Sequence, residues 1–343
     1  LFSPRHLLAA TSLIGLCAAG VASAAELNLY SSRHYDTDQQ LYDDFTEETG
    51  ITINLIEASG DELIERIKAE GANSPADVLI TVDAGRLWRA DQEGLFQPTE
   101  SAVLDERIPA EFHHPDGHWF GFSTRARVIY YNTETFDPSG VSSYEDLASD
   151  AVAGELCIRT GSNIYNLSLL ASIIEHAGEE AAREWAAGVV ENFARPPEGN
   201  DTAQIRAVAA GECGVSLGNH YYLARLIASD DPADQEVVEK IGVIFPNQDG
   251  RGTHVNISGA GVVATAPNPE AAVQFLEYLA SDSAQDYFSN GNNEFPTAVD
   301  GEVSNPTLKE MGALDFARDD VSVAVFGEHQ AQAQIIMDEV GWK

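Results

Sequence analysis

The hydrophobic positions of this chain change period repeatedly, from alternating or continuous short runs to helical spacing and back. Residues 27–31 read as a first strand, and residues 38–48 carry Leu41, Tyr42 and Phe45 at helical spacing. The β-branched run 51–56 predicts a second strand. A helix then opens at Ser59-Gly60-Asp61-Glu62, continues through Leu63, Ile64, Ile67 and Ala69, and has acidic residues in its first turn. The apolar run 77–82 has the composition of a buried parallel strand, and a helix over 84–92 is stopped by Gly94. Strand, helix, strand, helix and strand with short connections predict a doubly wound α/β lobe.

Two extended segments, 119–123 and 127–132, lead out of that lobe into a second α/β series. It comprises a strand at 156–159, helices at 166–174, 181–191 and 202–210, and a strand at 214–217. Segments 243–246 and 257–263 read as strands returning toward the first lobe, 271–279 as an amphipathic helix, and 324–340 as a helical tail. The acidic stretch 229–234 predicts an exposed turn. A chain that leaves a lobe and comes back predicts an α/β protein of two doubly wound lobes joined by crossing strands. The first lobe is expected over 25–125 plus 253–300, and the second over 126–252 plus 301–343. In open α/β sheets the ligand sits beyond the carboxyl ends of the strands, which here face the crevice between lobes.

Composition adds the compartment. A basic start with Arg5, an apolar run from Leu7 to Val21 and the small residues Ala22-Ser23-Ala24 predict a secretory signal peptide over residues 1–24, too short for a span of about 20 apolar residues. Cys17 follows the bulky Leu16, which argues against lipid attachment. Cleavage leaves 319 residues, enough for two lobes. The formal charge of −36 becomes −37 once Arg5 is gone, a balance that excludes nucleic acid and anionic lipid as partners and suits a salt-adapted surface. Two cysteines remain, Cys157 and Cys213. In an oxidising compartment they form a disulfide or stay as two buried thiols, and spacing alone does not choose.

The candidate chemistry lies in four phenols and an imidazole at the ends of predicted strands. These are His34-Tyr35, Tyr165 in Gly161-Ser162-Asn163-Ile164-Tyr165-Asn166, and Tyr221-Tyr222 in Gly218-Asn219-His220-Tyr221-Tyr222-Leu223. One tyrosine is ordinarily a packing residue with a polar tip. Several together form a set of hard oxygen donors, and Fe³⁺ is the cation best able to deprotonate them at neutral pH, as metals do for water and thiols. Adjacent ligands at Tyr221 and Tyr222 predict an irregular loop after Gly218.

These segments, with Trp119-Phe120-Gly121-Phe122-Ser123-Thr124-Arg125-Ala126-Arg127-Val128, resemble the ferric-iron-binding periplasmic proteins of ABC importers, in particular the branch using one His and four Tyr. The similarity spans essentially the whole mature chain. It implies a bilobal periplasmic binding protein of type II with transferrin-like closure. Its iron ligands would be Tyr35, Tyr165, Tyr221 and Tyr222, with His34 as a fifth. It also implies Fe³⁺ as cargo, an inner-membrane permease as partner, a periplasmic location, a monomer and no enzymatic activity. Arg125 would lie near the iron, serving either phenolate oxygens or an anion, or else an interlobe salt bridge. Arg33 and Arg225 are further candidates around the ligands. His220 departs from the small hydroxyl residue of many relatives.

Two rival readings give contrasting expectations. The same architecture could hold a small anion, organic or inorganic, or another organic solute, with Arg33, Arg125 and Arg225 as the clamp and the tyrosines as its walls. A secreted zinc hydrolase could use His113, His114 and His118, although the Pro115-Asp116-Gly117 turn among them predicts a surface loop. No convincing phosphate loop, nucleophile elbow or Ser-His-Asp arrangement is present in the sequence.

Overall fold

A computed structural model describes residues 25–343 except 34, 36, 300 and 302. The predicted signal peptide and His34 therefore lie outside the described residues. Among the described residues nine strands form the frame: β1 (Glu26–Ser31), β2 (Thr52–Glu57), β3 (Val78–Val82), β4 (Phe120–Asn132), β5 (Leu156–Cys157), β6 (Val215–Asn219), β7 (Ile241–Ile244), β8 (Val255–Val262) and β9 (Phe295–Pro296). Their main order is β2-β1-β3-β8-β4-β6-β5, with β7 and β9 also pairing β4.

The first lobe is built as its apolar pattern predicts. β1 runs parallel to β2 and β3. Helix Asp38–Thr49 makes the first crossover, ending at Gly50, whose φ of 74° is the left-handed conformation that stops a helix with little strain. Helix Gly60–Glu70 makes the second. Ser59 accepts from the Glu62 N–H while the Glu62 carboxylate receives the Ser59 N–H, so two otherwise unpaired helix-start donors are satisfied together. All five residues of β3 are buried, as an apolar run between two strands and two helical layers must be.

The segments expected at 119–123 and 127–132 are one continuous strand, β4, which runs through both halves of the molecule. Its residues 120–126 pair antiparallel with β8, whereas 127–132 pair with β6 and β7. The architecture is a bilobal α/β periplasmic binding fold in which this shared strand carries the chain between lobes. One apolar core gathers Leu29, Phe45, Leu79, Phe122 and Phe275; another gathers Ile129, Leu170, Trp185, Leu217 and Trp342.

Three local expectations differ from the structure. Tyr221 and Tyr222 lie in helix His220–Ile227, not in a loop, because β6 passes directly into a helix at Asn219. Residues 229–234 are not simply a turn, since Asp231 caps helix Pro232–Val238 through the Ala233 N–H. The tail is two helices, Ala324–Glu328 and Gln330–Val340, separated at His329. The choice left open for the cysteines is decided: Cys157 and Cys213 form a disulfide, with Cα atoms 5.8 Å apart, joining β5 to the turn before β6. No helix among the described residues is long and apolar enough to cross a membrane.

Candidate metal centre

The first-lobe half of the crevice forms where β1 ends. Arg33 and Tyr35 follow that strand and precede the first helix, and both are buried. They converge on Glu294, a fully buried carboxylate immediately before β9. The Tyr35 hydroxyl donates to Glu294 Oε1 at 2.8 Å. Arg125 donates to the same oxygen at 2.5 Å, and also to Ser258 Oγ and the Ile257 carbonyl. Ser123 Oγ donates to Glu294 Oε2 at 2.7 Å, and Arg33 spans Glu294 and Asp38. Burial alone would raise the Glu294 carboxyl, but Arg125 and Arg33 outweigh it and hold it well below the usual range. Burial and then Glu294 push the Tyr35 phenol well up.

The second-lobe half is made by two helix starts. Tyr165 is the second residue of helix Ile164–Ala177, and Asn163 caps that helix through the Tyr165 N–H. Tyr221 and Tyr222 occupy the first turn of helix His220–Ile227. The Tyr165 and Tyr221 hydroxyls are 3.4 Å apart, and the Tyr221 and Tyr222 ring centres are 4.3 Å apart. Helix N-termini favour negative charge close by, so the backbone here suits phenolate. Arg127 and Arg159 lie 5.8 and 5.5 Å from the Tyr165 ring centre. Both pair with Asp201, and Arg127 is further fixed by Asn166 and Asn219. Burial pushes the Tyr221 and Tyr222 phenols up, with neighbouring phenols adding to the effect.

The two halves meet. Tyr35 and Tyr221 stand edge to face with ring centres 6.0 Å apart. The Arg225 guanidinium lies over Tyr35, Tyr221 and Tyr222 at 4.4, 5.0 and 5.8 Å. The structure thus brings together four of the predicted ligand residues and all three predicted arginines. Arg125 forms its salt bridge to Glu294 within the predicted first lobe, while its guanidinium stands 5.8 Å from the Tyr221 ring centre. His220 takes the Ala126 N–H on Nδ1 at 3.1 Å and stacks on Phe295. Its burial lowers the imidazole pKa to about 4, so it anchors the helix start as a neutral ring.

Glu294, Arg127 and Asp201 were not among the sequence candidates. The pair Arg125 and Arg127 in an otherwise apolar strand was the one available signal, since buried charges need partners. Chemically, four phenols within a largely buried pocket would remain protonated unless a strong Lewis acid replaced their protons, which fits a hard trivalent cation better than a soft one.

The histidine loop divides differently from the zinc-hydrolase reading. His113 stacks on Phe120, and its Nδ1 lies 2.9 Å from the His114 carbonyl oxygen. His114 and His118 instead meet Asp91, so the three-histidine set is not assembled.

This fold and crevice define a solute-binding protein, and the similarity to known proteins agrees. The family described as bacterial extracellular solute-binding protein matches residues 40–313, and the chain belongs to it. The iron uptake protein A2 of Synechocystis sp. is 55% identical over 94% of this chain and 91% of its own. A Trichodesmium structure (IdiA, FutA) in complex with iron and citrate ligands has a TM-score of 0.88 at 58% identity, covering 93% of this chain and all of that one. The ferric binding protein of Campylobacter jejuni has a TM-score of 0.88 at 42% identity, covering 92% of this chain and 100% of that one.

Proposed function

We propose that this protein binds ferric iron between its two lobes and delivers it to an ABC importer in the inner membrane. The observation that carries the reading is the convergence of four phenols: the Tyr165 and Tyr221 hydroxyls are 3.4 Å apart, and the Tyr221 ring meets those of Tyr35 and Tyr222. These four phenolates are the ligands, and His34 is the fifth. The proposal takes the lobes as residues 25–125 with 253–300 and residues 126–252 with 301–343. Iron joined to both favours the closed state, whose surface the permease would recognise. Relatives named for iron uptake and ferric-iron binding support the cargo.

The protein works as a monomeric periplasmic carrier, exported by residues 1–24, and performs no catalysis. The Cys157–Cys213 disulfide suits that oxidising compartment. An anion clamp is a poorer account, because Arg33 and Arg125 are already engaged by Asp38 and Glu294.

Purified apo protein mixed with one equivalent of ferric nitrilotriacetate should develop a visible phenolate-to-iron charge-transfer band. The band should fade on mild acidification as protons compete for the ligands. Stoichiometric iron bound without colour would overturn the ligand set.

A further inference from the structure

The Asp91, His114 and His118 side chains form a second constellation that the iron site does not use. Asp91 lies in the last turn of helix Ala84–Gln92, seven residues beyond Ala84, so roughly 10 Å along that helix from its start. The two histidines flank a tight turn. The Gly117 N–H donates to the His114 carbonyl at 2.9 Å, and the His114 N–H donates to the Trp119 carbonyl at 2.9 Å. Gly117 has φ of +70°, and a Cβ there would stand 2.7 Å from the Thr99 carbonyl oxygen. The loop is therefore held by backbone bonds on both sides before any ligand arrives.

We propose that Asp91, His114 and His118 form a binding site for a borderline divalent cation of the Zn²⁺ or Cu²⁺ class, separate from the phenolate centre. One ligand atom from each residue lies within 4.8 Å of the other two. His118 Nδ1 is in hydrogen-bond contact with Asp91, and His114 Nε2 is 3.6 Å from the other Asp91 oxygen. The two imidazoles stack at 4.7 Å with planes 5° apart, so a modest rotation of each ring turns its nitrogen toward a shared ion. Two imidazoles and one carboxylate at about 2.0–2.2 Å are a zinc-type donor set, and the fourth position is open to water. Side-chain exposures of 9% for Asp91, 17% for His114 and 26% for His118 leave an entry path while excluding most competing solvent.

The test is calorimetric titration of Zn²⁺ into tag-free, iron-loaded protein, whose phenols are already occupied. One ion per chain with micromolar affinity is expected, weakened at least tenfold by His118→Ala and by Asp91→Asn. His113→Ala should leave it unchanged, and thermal melting should show each variant folded. The visible iron band should not change when zinc binds. Absence of zinc heat up to millimolar concentration overturns the proposal, as does equal affinity in the parent and both ligand variants, which would mark an adventitious ion only. Loss of the iron band on adding zinc would show competition for the phenols and overturn the claim of a separate site.

Discussion

The two halves of the crevice hold their tyrosines in opposite ways. In the first lobe a single phenol, Tyr35, already has an acceptor in Glu294, and Arg33 and Arg125 are balanced by Glu294 and Asp38. In the second lobe three phenols sit at two helix starts; of the arginines around them, Arg127 and Arg159 share Asp201, and Arg225 lies over the Tyr221 ring. Cationic charge and helix dipoles therefore offset part of the burial that keeps the Tyr221 and Tyr222 phenols protonated, whereas Tyr35 must also give up a hydrogen bond to join. On the proposed ligand set, the difference predicts an order of events: cargo engages the second lobe first, and recruitment of Tyr35 accompanies closure.

Replacing both Tyr221 and Tyr222 by Phe should have the largest effect. Partners that only orient a ligand already change metal affinity by about 10–100-fold, so losing two direct donors should weaken iron binding by about 10⁴-fold or more and abolish most of the colour. Tyr35→Phe should be milder, at about 10–100-fold, leaving coloured iron on the second lobe in a protein that no longer compacts in small-angle scattering. Equilibrium competition with a chelator measures both. If Tyr35→Phe removes binding as completely as the double substitution, the proposed order is wrong.

On the separate scale of folding stability, Glu294→Gln tests the balanced first-lobe network. Removing one member of a buried ion pair leaves charge without compensation and costs about 3–5 kcal/mol of folding stability, measurable by denaturant unfolding of the apo protein. The pH signature has a definite sign. Glu294 binds a proton less readily when folded than when unfolded, so its stabilisation is complete above the unfolded pKa of about 4.3 and is lost as pH falls below it. The Gln variant should lack that part of the acid limb. An unchanged acid limb would mean that the arginines are satisfied without the carboxylate.

Much of this arrangement was legible in the sequence, and the rest was hidden for physical reasons. The β1-helix-β2-helix-β3 series is readable because its apolar period, the Ser59–Glu62 cap and the Gly50 stop all describe local geometry. The tyrosines stood out because phenols at strand ends are chemically unusual. Glu294 did not, since its partner Tyr35 is 259 residues away and nothing local marks a carboxylate for burial. Arg125 and Arg127 share one face of a strand by period, yet they serve different halves because β4 passes from one set of partners to another between them. The Tyr221-Tyr222 helix was missed because eight residues offer too short a window for periodicity against a preceding strand.

The smallest expected effect concerns the contact that links the halves beside the phenols. Asp83 has φ of 82°, a conformation that costs a non-glycine residue about 1–3 kcal/mol. It is held by three donors to its buried carboxylate: the Gly85 N–H at 2.9 Å, Asn256 Nδ2 at 2.9 Å and Ser168 Oγ at 2.7 Å. The first two lie beside the first-lobe sheet, but Ser168 belongs to the helix that carries Tyr165, three residues earlier. Val82 also packs against Ile164 and Tyr165. Closure that brings Tyr165 toward Tyr35 thus also forms the Ser168–Asp83 bond. Ser168→Ala should remove about 1 kcal/mol from the closed state while leaving the Asp83 cap with two donors. Iron transfer to an excess of chelator should then run about fivefold faster, with the charge-transfer band unaltered. An unchanged transfer rate would show that this bond persists when the lobes part, and that closure rests on the metal ligands alone.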